Sequence, residues 1–93
     1  MTERRIVRFF GWVQGVGFRY TVERIAARFP RVAGEVFNEQ DHVTVDIEGA
    51  SADLVAFVDD VIEHLPGGAQ IESTETVRVP TTGCVGFHIG RTR

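Results

Sequence analysis

The stretch "HVTVDIEG", residues 42–49, alternates without a break: Val43, Val45 and Ile47 are apolar, Thr44, Asp46 and Glu48 polar. A period of two is the pattern of a strand with one buried face, so the three apolar residues are expected inward and the three polar ones outward. Just before it, "GEVFN", residues 34–38, reads as a second short strand, and Glu39, Gln40 and Asp41 as the turn between them. The two runs make a hairpin. A lone hairpin is marginal in water, so the rest of the chain must cover its apolar face.

Upstream, "RIVRFFGWV", residues 5–13, is rich in β-branched and aromatic residues and reads as a strand. Between it and the hairpin, Phe18, Val22, Ile25, Ala26 and Phe29 recur at spacings of three and four, one helical stripe that should stop near Phe29 because Pro30 follows. Downstream, Ser51 is the expected N-cap of a second helix, with Asp53 in its first turn. Leu54, Val58, Val61, Ile62 and Leu65 form its stripe, and Pro66-Gly67-Gly68 ends it. "QIESTETVRV", residues 70–79, and "VGFHIG", residues 85–90, read as two further strands.

The order is β-α-β-β-α-β plus a short last strand. That order defines an α+β fold, the ferredoxin-like split βαβ sandwich, with two helices on one face of an antiparallel sheet. No repeat or linker divides the chain, so residues 1–93 are expected to form a single domain.

Composition narrows the function. With 43% hydrophobic and 25% charged residues, the chain suits a soluble globular protein. No apolar run approaches the roughly 18 residues of a membrane span. The opening "MTERRIVRFF" has no secretory apolar region, so the expected location is cytoplasmic. A net charge of −3 and the acidic "VTVDIEG" strand argue against a nucleic-acid partner, including the RNA-binding use of a βαββαβ fold. All ten basic residues are arginines, which excludes Schiff-base catalysis and any phosphate loop that needs lysine. Cys84 is the single cysteine, expected as a packed or partly exposed thiol. His42, His64 and His88 share no metal-ligand spacing, so neither a metal nor another cofactor is expected. Phe10 and Trp12 share one face of the first strand, where packing is the plain expectation; Trp12 could instead edge a site.

The chemistry concentrates in "VQGVGFR", residues 13–19, where a strand ends and a helix begins. The first N–H groups of a helix lack partners within it and carry a partial positive charge. Arg19 adds a cation at that same end, a conflict that a bound anion resolves. Gly15 and Gly17 allow left-handed backbone and close approach of a ligand, and successive N–H groups can form an anion nest. The guanidinium supplies a planar fork for two phosphate oxygens. The competing reading is a tight turn with Arg19 paired to Glu23. Gly-x-Gly here is neither a dinucleotide fingerprint, since Tyr20 stands where a third glycine would be, nor a Walker loop.

"GWVQGVGFRY", residues 11–20, resembles the signature of the acylphosphatase family, and "GEVFN" matches the family's second segment. The resemblance runs from about Ile6 to Ile89 and includes "GFHI" near the end. It implies a small ferredoxin-like hydrolase of the carboxyl-phosphate bond of acyl phosphates, acting as a monomer without metal or cofactor. It implies further that the backbone amides of Gln14, Gly15, Val16, Gly17, Phe18 and Arg19, with the Arg19 side chain, bind the phosphoryl group, and that Asn38 orients the attacking water. Three departures bear on this. The Arg19-to-Asn38 interval is one residue longer than usual, an addition expected in residues 28–34; a register slip of one would turn Asn38 to the wrong face. Asp41-His42 replaces the family's Asp-Gly, and Glu35 replaces an uncharged residue, which would repel an anion unless it faces solvent or an arginine. The alternatives are a weakly active or non-catalytic phosphate-binding module of the same fold, including the N-terminal domain of hydrogenase-maturation carbamoyltransferases. Against the latter stand Tyr20, where those proteins carry proline, and the short chain.

Overall fold

The computed structural model describes residues 1–93. Its elements are β1 (Thr2–Trp12), α1 (Phe18–Ala26), β2 (Ala33–Glu39), β3 (His42–Ala50), α2 (Ser51–Glu63), β4 (Gln70–Val79) and β5 (Phe87–Ile89). They build one five-stranded sheet in the order β4-β1-β3-β2-β5. β1 and β3 are central and pair antiparallel, as do β1 with β4 and β2 with β3. Each helix connects two parallel strands that have a third between them, the arrangement the element order predicts. One detail differs: β5 runs parallel to β2, with Gly34 opposite Phe87 and Val36 opposite Ile89. The sheet is therefore mixed at one edge.

The hairpin register places the apolar positions together. Val7 faces Val45 and Phe9 faces Val43 across β1–β3, and Val36 faces Val45 across β2–β3. These residues, with Ile47, form the sheet side of a 15-residue core, closed by Phe18, Val22, Ile25 and Ala26 of α1 and by Leu54, Phe57 and Val61 of α2. Phe57 is fully buried between Phe29, edge-on at 5.5 Å, and Phe87 at 5.7 Å. Aromatic pairs in this range prefer tilted arrangements.

The helices correct three expectations. α1 ends at Ala26, three residues before Phe29, and unwinds through tight turns in which Arg28 and Phe29 donate to Ile25 and Ala26. Ser51 is not the N-cap of α2; that position is Ala50, and the Ser51 hydroxyl accepts from Arg5 Nη2 at 2.8 Å. The buried stripe of α2 runs 54, 57, 61, whereas Ile62 is exposed. Spacings of three and four fit both 54-57-61 and 54-58-61, and the aromatic pocket selects the first.

The other face of the sheet has its own cover. Thr44 and Glu48, expected outward, are outward but buried. Glu48 accepts from Thr82 N–H at 2.8 Å, Gly83 N–H at 2.7 Å and the Thr82 hydroxyl at 3.1 Å, so residues 82–84 fold over it. Thr82 N–H above all, then Gly83 N–H and the Thr82 hydroxyl, with Arg4 nearby, hold the Glu48 carboxyl below the usual range, although burial pushes the other way. Beside it, Arg4 and Asp46 make a two-point ion pair at 2.9 and 2.8 Å. No helix is long and apolar enough to cross a membrane.

Candidate active site

The loop after β1 turns into α1 through two glycines, Gly15 at φ +73° and Gly17 at φ +82°. Both are left-handed, and a Cβ at either would meet no heavy atom within 4 Å. Backbone conformation, rather than crowding, therefore calls for glycine here. Gly17 is the N-cap of α1, and no side chain caps the helix. The N–H groups of residues 14–20 donate to no acceptor in the protein; the first bond of the helix is Thr21 N–H to Gly17 O at 3.0 Å. Free amides in succession, at the positive end of a helix with no acidic residue in its first turn, form a concentrated positive potential.

Arg19 adds to it. Its guanidinium pairs with no carboxylate, and Glu23 is not its partner; Nη1 donates instead to the carbonyl of Gly90, 3.0 Å away. The cation is thus held in place by a neutral group and keeps its charge uncompensated.

Asn38 completes the site from β2. It lies on the helix side of the sheet, two residues after the buried Val36, so the second strand keeps the register that places Asn38 beside α1. Its Oδ1 is buried and accepts no hydrogen bond. Leaving such a carbonyl unpaired costs about 1–3 kcal/mol, which asks for an explanation at this position.

A pocket of about 260 Å³ is lined by Val13, Gly15, Gly17, Phe18, Arg19, Tyr20 and Asn38. It brings together five of the predicted site residues. Gln14 and Val16 do not line it: Val16 packs against the core, and the Gln14 side chain turns to the β2–β3 turn. Val13 and Tyr20 join the lining without any signal in the sequence. Tyr20 is 68% exposed at the mouth.

The departures resolve in the geometry. Glu35 points to the opposite face and pairs with Arg93 at 2.6 Å. The hairpin turn is Gln40-Asp41, where Gln40 takes the positive φ of +35°, so His42 needs no unusual backbone. Trp12 is neither packed nor at the pocket: it is 68% exposed, at the end of β1 beyond the last pairing with β3. Phe10 stacks on His42 at 4.8 Å. Cys84 is exposed, with Sγ 3.9 Å from Glu48 Oε1. Asp60, Glu63 and His64 gather at the end of α2, where Asp60 already pairs with His64 and Arg28.

The split βαβ sandwich brings unpaired loop amides, a guanidinium with no carboxylate partner and a buried, unpartnered carboxamide oxygen to one pocket. The acylphosphatase family model matches residues 5–89, and the chain belongs to the acylphosphatase family. It is 39% identical over 67 residues to an acylphosphatase of Staphylococcus aureus strain Newman, covering 72% of this chain and 74% of that one. A crystal structure of acylphosphatase from Bacillus subtilis superposes with a TM-score of 0.83 at 30% identity, covering 97% of this chain and 99% of that one. Full-length HypF, in its phosphate- and nucleotide-bound form, contains a similar fold, with a TM-score of 0.91 at 30% identity over 99% of this chain; the match spans 12% of the HypF chain.

Proposed function

We propose that this protein is an acylphosphatase that cleaves the carboxyl-phosphate bond of small acyl phosphates through a single domain formed by residues 1–93, monomeric and cytoplasmic, without metal or cofactor. The observation that carries the reading is the buried, unpartnered Asn38 Oδ1 in the wall of the pocket that also holds Arg19 and the free loop amides.

The amides of Gln14, Gly15, Val16, Gly17, Phe18 and Arg19, with the Arg19 guanidinium, receive the phosphoryl oxygens. Asn38 Oδ1 accepts one hydrogen of a water and points its oxygen at phosphorus. The water oxygen bonds to phosphorus as the bond from phosphorus to the acyl oxygen breaks. The carboxylate leaves with the bonding pair, and the water's second proton passes to a phosphate oxygen, giving carboxylate and inorganic phosphate. In a loose transition state, placement and charge stabilisation carry most of the acceleration, and a carboxylate leaving group needs no acid. A neutral carboxamide orients water without repelling the dianion, as an aspartate would.

Hydrolysis of benzoyl phosphate in the presence of a chelator tests this. Wild type should turn over at an unchanged rate with and without chelator. Asn38→Ala should lose about a hundredfold in kcat while binding inorganic phosphate nearly as before, as for other oriented-group losses. Full turnover by Asn38→Ala would remove the water-orienting role, and equal rates for wild type and Arg19→Ala would remove the enzyme reading. The similarity to one domain of HypF keeps a second reading in view, a phosphate-binding module with little hydrolysis. Tight phosphate binding without turnover in wild type would select it.

A further inference from the structure

The site is assembled from two elements that share no backbone pairing: the 14–17 loop with the start of α1, and the end of β2. One side chain joins them. Gln14 Nε2 lies 3.2 Å from the carbonyl of Glu39, 3.0 Å from that of Gln40 and 2.9 Å from that of His42. A carboxamide nitrogen has two hydrogens, so three carbonyls converge on two donors and at least one bond is shared. The turn they belong to begins one residue after Asn38. It includes Gln40, the only non-glycine residue with positive φ in the protein.

No other hydrogen bond ties residues 14–17 to the hairpin. Their amides are unpaired within the protein, and the Gly17 carbonyl is taken by Thr21 of its own helix. The Gln14 side chain points to the turn and not into the pocket. Resting on the reading of Arg19 and Asn38 given above, we infer that the Gln14 carboxamide is a positioning residue that sets the distance between the phosphoryl group on the loop and the water on Asn38. It acts through the turn and does not touch substrate. In-line attack is sensitive to this distance, since a misplacement of about 1 Å can cost a hundredfold in rate.

Gln14→Met keeps the length and removes the donors without adding charge. The measurements are kcat on benzoyl phosphate and the inhibition constant of inorganic phosphate, for wild type, Gln14→Met, Asn38→Ala and the double variant. Gln14→Met should lower kcat by about tenfold and leave phosphate inhibition within about twofold, because the loop's own contacts remain. In the double variant the second substitution should add nothing to the loss from Asn38→Ala, because both remove the same placement. Gln14→Lys restores N–H donors, one bond farther out and with a charge, and should recover part of the kcat lost in Gln14→Met.

Four results overturn the inference: wild-type kcat in Gln14→Met, losses that multiply in the double variant, phosphate inhibition weakening in step with kcat, or a Gln14→Lys variant as slow as Gln14→Met. The Lys variant decides the matter should the Met variant fail to fold. Multiplying losses with an impaired Asn38→Ala defeat the Gln14 inference alone. An unimpaired Asn38→Ala defeats the reading beneath it as well.

Discussion

Arg19 Nη1 donates to the carbonyl of Gly90 at 3.0 Å across 71 residues of sequence, and this contact aims a guanidinium that no carboxylate neutralises. A guanidinium has five N–H groups in a fixed fork. One contact to Gly90 leaves the others for an anion in the pocket.

Replacing Arg19 with lysine keeps the charge and discards the fork. An ammonium that satisfies Gly90 O cannot also span two phosphate oxygens with the same geometry. Arg19→Lys should weaken inhibition by inorganic phosphate by about tenfold or more and reduce kcat/KM on benzoyl phosphate by about a hundredfold. Phosphate inhibition equal to wild type would refute the bidentate role.

Asn38→Asp separates orientation from charge. The carboxylate preserves size and can hold water, but it stands in the pocket proposed to receive the phosphoryl group. Like charges there should raise KM as well as lower kcat, whereas Asn38→Ala should leave KM nearly unchanged. Steady-state kinetics on both variants at pH 7 distinguish the two patterns, and an unchanged KM in Asn38→Asp would argue that the side chain lies away from the substrate.

Phe57 is fully buried at the meeting point of α2, β5 and the loop after α1. Truncation to alanine leaves a cavity that two neighbouring aromatic rings cannot close. Phe57→Ala should therefore lose about 3–5 kcal/mol of stability, read from urea unfolding. Exposed Ile62 on the same helix offers the control: Ile62→Ala should fall within about 1 kcal/mol of wild type.

Glu48 makes stability depend on pH. Its folded carboxyl is held below the ordinary 4.5, so its contribution is complete above that value. It fades as pH falls through the lower folded value, because the unfolded chain binds the proton first. Glu48→Gln should be less stable than wild type at pH 7, and the gap should narrow as pH is taken well below 4 in urea titrations. A gap that stays constant with pH would assign the loss to packing and not to the ionised carboxylate.

The two periodicities carried most of the architecture. Period two in residues 42–49 and the helical stripe from Phe18 to Ala26 both match the observed core, and the glycine loop named its own conformation. Other features depended on partners remote in the chain. Phe57 was invisible as a core residue because its neighbours Phe29 and Phe87 come from other elements. The parallel pairing of β5 leaves no local trace, since the short "FHI" run could equally add antiparallel. At the site, Arg19 and Asn38 were legible through the family pattern, and their shared pocket follows from the register of β2. The Gly90 carbonyl and the Gln14 side-chain contacts were not legible, because a backbone acceptor has no sequence signal and a glutamine before a glycine loop suggests only its amide. Glu35 looked like a threat to anion binding, and Arg93 answers it from 58 residues away.

The last edge of the sheet also bears on when activity can arise during synthesis. Residues 2–50 contain the glycine loop, Arg19 and Asn38, yet the groups that aim them arrive much later: Gly90 O for the guanidinium, and the N–H of Arg93 for the backbone carbonyl of Asn38. A chain that has not yet supplied Gly90 lacks the one hydrogen bond that the Arg19 guanidinium makes within the protein. If Arg19 and Asn38 act as proposed, a polypeptide halted before residues 87–93 lacks both contacts and is expected to hydrolyse acyl phosphates more slowly than the full chain.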